Sequence, residues 1–444
     1  MDSPPYLVSR GPAACRPERS DEYTGETVTV THPTRFARRR TCVATWFLLV
    51  WVSLAWQPAT ATAQPDRVVA IGDIHGAAGQ FRALLETVGL TDSSQRWVGG
   101  RTTLVQTGDF TDRGTDVKAV LDLLMRLETE ADAAGGQLII LLGNHETMAL
   151  MANLRDTTPE LLARFATPRT PTLREEAYEA YVALLAERAT VLGPLAQSPL
   201  PRAEWMQAHP PGFFEYVDAF SPDGTYGRWL RSKPVVVRVA DSILLHGGLH
   251  PTEAPTDLSD INERARRELE TFDRYREQLV ERGVILPFFT FQETNAAIAQ
   301  ELNYWLTLLA PTGPPAPDGG VRLSREDREY VPMLDEARSM GSWSIIDENG
   351  PVWFRGFARW DEEEGLSLAR SLTERHDVAR IVVGHSIPET KLITARFDNR
   401  IFLIDTGMLA GVYSGRASAL EIESSQVTAV YLDRRIPLAD APRP

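Results

Sequence analysis

From residue 64 onward, short apolar runs alternate with stretches of helical spacing. Residues 67–71 (RVVAI) form a continuous apolar run that closes on Gly72, the signature of a buried strand. Residues 80–88 place Phe81, Leu84, Leu85 and Val88 on one helical face. Residues 102–106 predict a second strand. Residues 116–127 predict a second amphipathic helix through Val120, Leu121, Leu124 and Leu127, and 137–142 (QLIILL) a third strand. Strand, helix and strand at this spacing predict a mainly parallel sheet covered by helices. Further strands are expected at 234–239, 242–245, 380–383, 401–404 and 427–432.

Two stretches interrupt this alternation. Residues 150–232 are helix-rich, with prolines and the aromatics Trp205, Phe213, Phe214 and Tyr216, for which core packing is the expected role. Residues 255–345 hold a charged helix at 258–282 and a Pro/Gly cluster at 311–320. Both are read as helical insertions on one α/β core spanning 64–444, and no internal repeat is visible.

Residues 1–37 are polar and Pro-rich with no period. Arg38-Arg39-Arg40 then precedes an apolar run at 43–56, shorter than the roughly 20 residues that a spanning helix needs. Ala61-Thr62-Ala63 follows, a small-residue cleavage pattern. Together these predict a leader, 1–63, carrying a secretory signal peptide cleaved before Gln64. The protein is then expected to be exported, most simply to a bacterial periplasm. The alternative is anchorage to the inner membrane by an uncleaved leader, the one membrane contact the sequence suggests.

Composition narrows the chemistry. The chain has 46 Lys+Arg against 60 Asp+Glu, a net charge of −14. Loss of the leader, with its seven Arg and five acids, makes that −16. Such a balance argues against nucleic acid as a partner, since binding there rests on phosphate neutralisation by Lys and Arg. Cys15 and Cys42 are too few for a disulfide framework or a thiolate zinc site, and both lie in the leader.

The candidate chemistry sits where strands are expected to end. Five clusters occur there: Gly72-Asp73-Ile74-His75-Gly76, Gly108-Asp109-Phe110-Thr111-Asp112-Arg113-Gly114, Gly143-Asn144-His145-Glu146, His246-Gly247-Gly248-Leu249-His250 and Gly384-His385. Five of the eight histidines fall in them. Singly, Asp73 reads as a helix cap and His385 as a core histidine. Repetition beside glycines at five strand ends does not fit that reading, because open α/β sheets bind ligands outside their carboxyl ends. Mixed imidazole and carboxylate donors without thiolates suit Zn, Fe or Mn. Six of them, Asp73, His75, Asp109, Asn144, His246 and His385, exceed the needs of one ion and suit two ions about 3.5–4 Å apart.

The series GDIHG, GDFTDRG, GNHE, HGG and GH resembles the calcineurin-like metallophosphoesterases, and its GDxxDRG and GNHE forms resemble the phosphoprotein-phosphatase branch. HGGLHP, VWFRG and the late IDTG are most similar to the bacterial Shewanella-like phosphatases. The resemblance covers about residues 68–411 and touches the insertions little. It implies an αββα sandwich of two facing mixed sheets, with the insertions as a helical cap, and two divalent or mixed-valence metal ions (Mn, Fe or Zn). Asp73 and His75 are implied at the first ion, Asn144, His246 and His385 at the second, and Asp109 between them. His145, oriented by Asp112, is the implied proton donor to the leaving oxygen. Arg113 would grip the phosphate, with Arg355 the candidate for a second arginine there. A surface arginine beside a packed tryptophan is the plainer reading of Arg355.

The activity so implied is hydrolysis of phosphate monoesters by a hydroxide bridging the two ions. The phosphorylated substrate is a protein or a small molecule, with phosphoprotein favoured. Cleavage of a dinucleoside polyphosphate or another phosphoanhydride is the alternative within enzymes. A catalytically inactive phospho-ligand-binding protein is the alternative outside them, although such proteins usually lose a donor or the acid. Asp405-Thr406-Gly407 also spells an aspartic-protease triplet, but such a site needs two carboxylates sharing a proton, and the triplet occurs once. His250 is expected beside the site or merely at a turn into Pro251, and Glu146 is expected to pair with a nearby cation and not to bind metal.

Overall fold

The computed structural model describes residues 67–309, 324–423 and 426–438. The leader with its apolar run, and the Pro/Gly cluster at 311–320, lie outside the described residues. Among the described residues no helix is long and apolar enough to cross a membrane.

The strands are β1 (Arg67–Ile71), β2 (Thr103–Gln106), β3 (Gln137–Ile140), β4 (Val236–Val239), β5 (Ser242–Leu245), β6 (Arg380–Val383), β7 (Thr394–Arg396), β8 (Ile401–Leu403), β9 (Ser418–Glu423), β10 (Gln426–Tyr431) and β11 (Arg435–Leu438). They form two mixed sheets, ordered β11-β10-β9-β1-β2-β3 and β4-β5-β6-β8-β7. β1, β2 and β3 run parallel in the first, and β5, β6 and β8 in the second. Both parallel triplets are flanked by antiparallel strands.

Side-chain alternation shows how the layers stack. Val68 and Ala70 of β1, Val105 of β2, Leu244 of β5, Val382 of β6 and Phe402 of β8 share one apolar cluster. Their neighbours Val69, Ile71, Leu104, Ile243, Leu245, Ile381, Val383, Ile401 and Leu403 join a second cluster with the helices. Successive side chains of a strand point to opposite faces. One face of each sheet therefore meets the other sheet, and the opposite face is covered by helices. Strands buried on both faces need apolar residues at every position, hence the unbroken runs in β1, β5 and β6. Truncating a side chain such as Phe402, fully buried between the sheets, to Ala costs about 3–5 kcal/mol. This is the expected αββα sandwich.

Helices Ala78–Thr87 and Val117–Ala133 cover the first sheet, and Glu362–Arg375, capped by Asp361 accepting from the Glu364 amide at 2.8 Å, the second. Helices Thr170–Leu192, Arg202–Ala208, Phe213–Phe220, Leu258–Glu281 and Phe291–Leu309 belong to the interrupting stretches. There Trp205 is fully buried and stacks on His209 at 4.1 Å between ring centroids, beside Phe214 and Tyr181.

Three strands escape the sequence pattern. β9 (SALEIE) carries acids that read as solvent-facing, yet Glu421 is buried between Arg67 and Arg435. β11 contains Pro437, tolerated because the strand is at a sheet edge. β7 is a three-residue edge strand, too short for a period to show.

Candidate metal centre

The five polar clusters follow β1, β2, β3, β5 and β6, and the loops pack backbone on backbone. Gly108 has φ +97°, and a Cβ there would lie 2.4 Å from the Gly143 amide nitrogen. A Cβ on Gly143 would lie 2.3 Å from Asp109 Oδ1. Neither position accepts a side chain. Five site residues have positive φ without being glycine: His75 (47°), Asp109 (57°), Asp112 (61°), Arg113 (65°) and His385 (65°). Such conformations cost of order 1–3 kcal/mol each and persist where the surroundings hold them.

All six expected donors converge, and all are buried. Asp109 is the hub. Its Oδ2 lies 3.1 Å from His246 Nε2, 3.8 Å from His75 Nε2 and 3.8 Å from His145 Nε2. His246 Nε2 also meets Asn144 Oδ1 at 2.9 Å and His385 Nδ1 at 3.0 Å. Asp73 Oδ2 is 3.9 Å from His75 Nε2, and its Oδ1 accepts from the His385 amide at 3.0 Å. Two triads can each close on a cation, Asp109 with His246 and His385, and Asp109 with His75 and His145, their ligand atoms all within 4.8 Å. The ring nitrogens turned away from the centre are tied to main-chain carbonyls: His75 Nδ1 to Thr111, His246 Nδ1 to Thr107 and His385 Nε2 to Trp353. That fixes which nitrogen faces inward, as metal-ligating imidazoles require.

The charges fit cations. Burial and then the Asp405 and Asp109 carboxylates push Asp73 well above the usual carboxylate range. Asp405, hydrogen-bonded to Asp73, is pushed up to about 6, first by burial. Asp109 is held well below its ordinary value, because His246 and His145 outweigh the effect of burial. Burial lowers His75 to about 3 and His385 well below its usual value, which keeps both neutral, the ligating form. No Lys or Arg among the described residues pairs with Asp73 or Asp109 within 4.0 Å. Three buried carboxylates with no Lys or Arg in direct ion-pair contact are costly unless cations are supplied.

The flank of this centre holds His145, whose Nδ1 meets Asp112 Oδ2 at 2.9 Å while Nε2 faces Asp109. Asp112 is itself held by the Thr157 hydroxyl at 2.7 Å. Arg113 Nη2 stands 3.3 Å from His145 Nε2, and its Nη1 donates to the Tyr413 hydroxyl.

The calcineurin-like phosphoesterase family matches residues 66–289, half of the chain. The chain belongs to the calcineurin-like phosphoesterase family. Members of this family are metal-dependent hydrolases of phosphoric esters. Shewanella-like protein phosphatase 2 of Arabidopsis thaliana is 33% identical over 211 residues, 46% of this chain and 51% of that protein. The match thus spans about half the plant protein's length. Shewanella-like protein phosphatase 1 of Plasmodium berghei is 22% identical over 375 residues, 82% of this chain and 74% of that one. Among solved structures, a cold-active protein-tyrosine phosphatase of a psychrophilic Shewanella species aligns with a TM-score of 0.47 and 21% identity, covering 84% of this chain and 80% of that one.

Within this calcineurin-like site Arg355 is no surface residue: its Nη1 donates to the His385 carbonyl at 2.8 Å and Ser386 Oγ at 3.3 Å, and its charge faces Asp73, Asp109 and Asp405. Glu146 departs from expectation. Among the described residues it pairs with no cationic side chain but accepts from the amides of Asp109 (2.7 Å), Phe110 (3.0 Å), Thr111 (3.0 Å) and Gly143 (2.8 Å) and from the Thr111 hydroxyl (2.8 Å), tying the β2 loop to the β3 loop. His250 sits apart from the donors, beside a cavity of about 320 Å³ that none of the six lines. Two residues were missed by sequence reasoning. Asp405 was read as part of the late IDTG stretch and of a protease triplet but given no role beside the donors; its signal was the strand–polar–Gly pattern seen at the other five strand ends. Tyr413 had no signal, since it lies in a short helix, Ala410–Tyr413, reached after that turn.

Proposed function

We propose that this protein is a dinuclear-metal phosphatase that hydrolyses phosphate monoesters, with phosphorylated protein side chains as the favoured substrates. The observation that carries this is Asp109 standing between His246 and His385 on one side and His75 on the other, with the carboxylate-held imidazole of His145 and a guanidinium on one flank. Asp73 and His75 serve one cation, Asn144, His246 and His385 the other, and Asp109 both. The donor set suits Mn, Fe or Zn. When bound, two such ions polarise phosphoryl oxygens and make a water acidic enough to act as the nucleophile near neutral pH.

The remaining chemistry belongs to the chain. Arg113 and Arg355 present planar guanidinium groups, which match phosphate oxygens with paired hydrogen bonds. Asp112 accepts a hydrogen bond from Nδ1–H of His145, so the second proton is carried on Nε2, on the side of the reacting centre. Burial alone would lower His145, but the Asp109 and Asp112 carboxylates raise it to about 9 in the metal-free protein. Nearby cations bring that value back down, toward the range where the proton can be given to a leaving oxygen. With Nε2 protonated, Arg113 Nη2 no longer has an acceptor there and is released toward the phosphate. The protein-phosphatase names of the Arabidopsis and Plasmodium relatives support a phosphoprotein substrate.

The test compares metal-loaded wild type with His145→Asn on aryl phosphates, alkyl phosphates, phosphopeptides and a dinucleoside tetraphosphate. The variant should keep its metal and lose about 10²–10⁴ in kcat, most for the poorest leaving groups. Equal losses for aryl and alkyl phosphates would remove His145 as the acid, and turnover of the dinucleotide alone would replace the substrate.

A further inference from the structure

Arg155 lies in the turn between helices Asn144–Leu150 and Pro159–Ala163, with its side chain 56% exposed. Its Nε and Nη2 approach Asp156 Oδ2 at 3.3 and 3.4 Å. The same oxygen lies 3.9 Å from Arg113 Nη2. One carboxylate thus stands between the phosphate-facing arginine and a second guanidinium farther out. The Arg155 guanidinium also lies 5.6 Å from the centre of the Trp353 ring, and the Trp353 carbonyl fixes His385. The arginine is therefore registered to the metal donors from two sides. Its Nη1 makes no hydrogen bond among the described residues. On the other side, Arg155 lines a cleft of about 390 Å³ with Leu154, Thr157, Pro210, Phe213 and Gln292.

Two arginines sharing one acid leave a net positive charge at this rim, in a chain whose overall charge is −14. An isolated phosphate needs neither the outer arginine nor the cleft. A peptide running away from the phosphorylated residue would meet both. Resting on the phosphatase reading above, we infer that Arg155 recognises an acidic side chain flanking the phosphorylated residue of a peptide substrate. The carboxylate would meet the free edge of the guanidinium, and the peptide's apolar neighbours would lie against Phe213, Pro210 and Leu154. Trp353 holds the guanidinium plane still, which reduces the entropy lost on pairing.

The experiment measures binding of non-hydrolysable phosphonate peptides to the metal-loaded protein at low salt. The peptides differ by Asp or Asn at each of the three positions on either side of the phosphoresidue. Wild type should bind the best Asp peptide about fivefold more tightly than its Asn counterpart, the upper end for an exposed ion pair. In Arg155→Gln, which keeps a planar polar group over Trp353, that ratio should fall to about one, with the Asn peptide's Kd shifting less than about twofold. No acidic preference in wild type, or equal weakening of both peptides in the variant, overturns the inference and leaves Arg155 as packing for Trp353. The parent phosphopeptides are assayed for hydrolysis in parallel. If none is cleaved, the phosphatase reading falls while the binding ratio still reports on Arg155.

Discussion

The strand-end edge and the helical insertions both bury histidines, and they use them in opposite ways. In the insertion, His209 stacks on Trp205 at 4.1 Å beside Phe214 at 5.8 Å, and its Nδ1 meets the Trp205 carbonyl at 2.8 Å. Burial lowers its pKa, and the nearest acid, Glu293, stands 3.8 Å from Nε2. That imidazole is a flat, neutral packing element. At the edge, His246 and His385 point ring nitrogens at each other across 3.0 Å and at Asp109. Two imidazoles meeting edge-on with their nitrogens together, beside carboxylates that repel one another, are poorly satisfied by the chain alone. The contrast teaches that ligand-binding capacity shows as unresolved polarity at a buried place, and that burial or residue type alone does not report it.

The largest expected effect tests that contrast directly. Asp109→Asn keeps the shape but removes the charge common to both triads. Metal content should fall, and activity should drop by well over the hundredfold typical of losing a supporting group. Trp205→Ala in the insertion should leave metal content unchanged while costing about 3–5 kcal/mol of stability. Metal analysis of the purified variants, with urea unfolding of each, reads both. Equal metal loss from the two substitutions would show that edge and insertion are one cooperative unit, and the distinction would fail.

A second, smaller effect sharpens the edge half of the comparison. Asp405 is raised to about 6, and Asp73 is raised above the usual range by burial and by Asp405. The metal-free protein therefore carries a proton on this pair below about pH 6, and metal must displace it. Apparent metal affinity should weaken as pH falls through about 6, where Asp405 takes up its proton, by up to about tenfold per unit for one displaced proton. Asp405→Asn removes a negative neighbour, so the Asp73 pKa falls and the acid limb moves to lower pH. Competition with a chromophoric chelator between pH 4.5 and 7.5 measures it. An acid limb that stays in place in Asp405→Asn would separate Asp405 from the centre.

Much of this edge was legible because its requirements are local. A donor at a strand end needs a tight turn, hence a glycine, and the strand before it needs an apolar run, so Asp73, Asp109, Asn144, His246 and His385 each stood in a readable phrase. Glu146 was misread because its partners are backbone amides of a different loop, which no sequence pattern displays. Asp405 stood in the IDTG stretch, yet it was given no role because its contact with Asp73 is a pairing across the sheet that the stretch itself does not display. β9 was missed because acids suggested exposure, whereas Arg67, more than 350 residues away in sequence, neutralises Glu421. In each case the failure is a long-range pairing that replaces a local rule.

The smallest effect concerns a residue with no sequence signal at all. Tyr413 accepts a hydrogen bond from Arg113 Nη1 and sets its ring 5.4 Å from that guanidinium, while lying 5.7 Å from the His75 ring. Arg113 Nε is buried without a hydrogen-bond partner among the described residues, so the tyrosine is a principal anchor of the guanidinium proposed to meet phosphate. Tyr413→Phe keeps the ring and its cation–π contact but deletes the acceptor. A hydrogen bond to a charged group contributes about 1.5–3 kcal/mol, of which loss of an anchor one residue removed from the phosphate passes on only part. KM for phosphate monoesters and the inhibition constant of inorganic phosphate should therefore rise together, by about two- to tenfold. kcat should change less, and metal content not at all, because no donor is touched. A rise in both constants with full metal occupancy places Tyr413 with the phosphate-facing arginine. Loss of metal would instead place it with the donors through His75, and unchanged constants would mean that Arg113 is held by Asp156 and Tyr413 merely covers it.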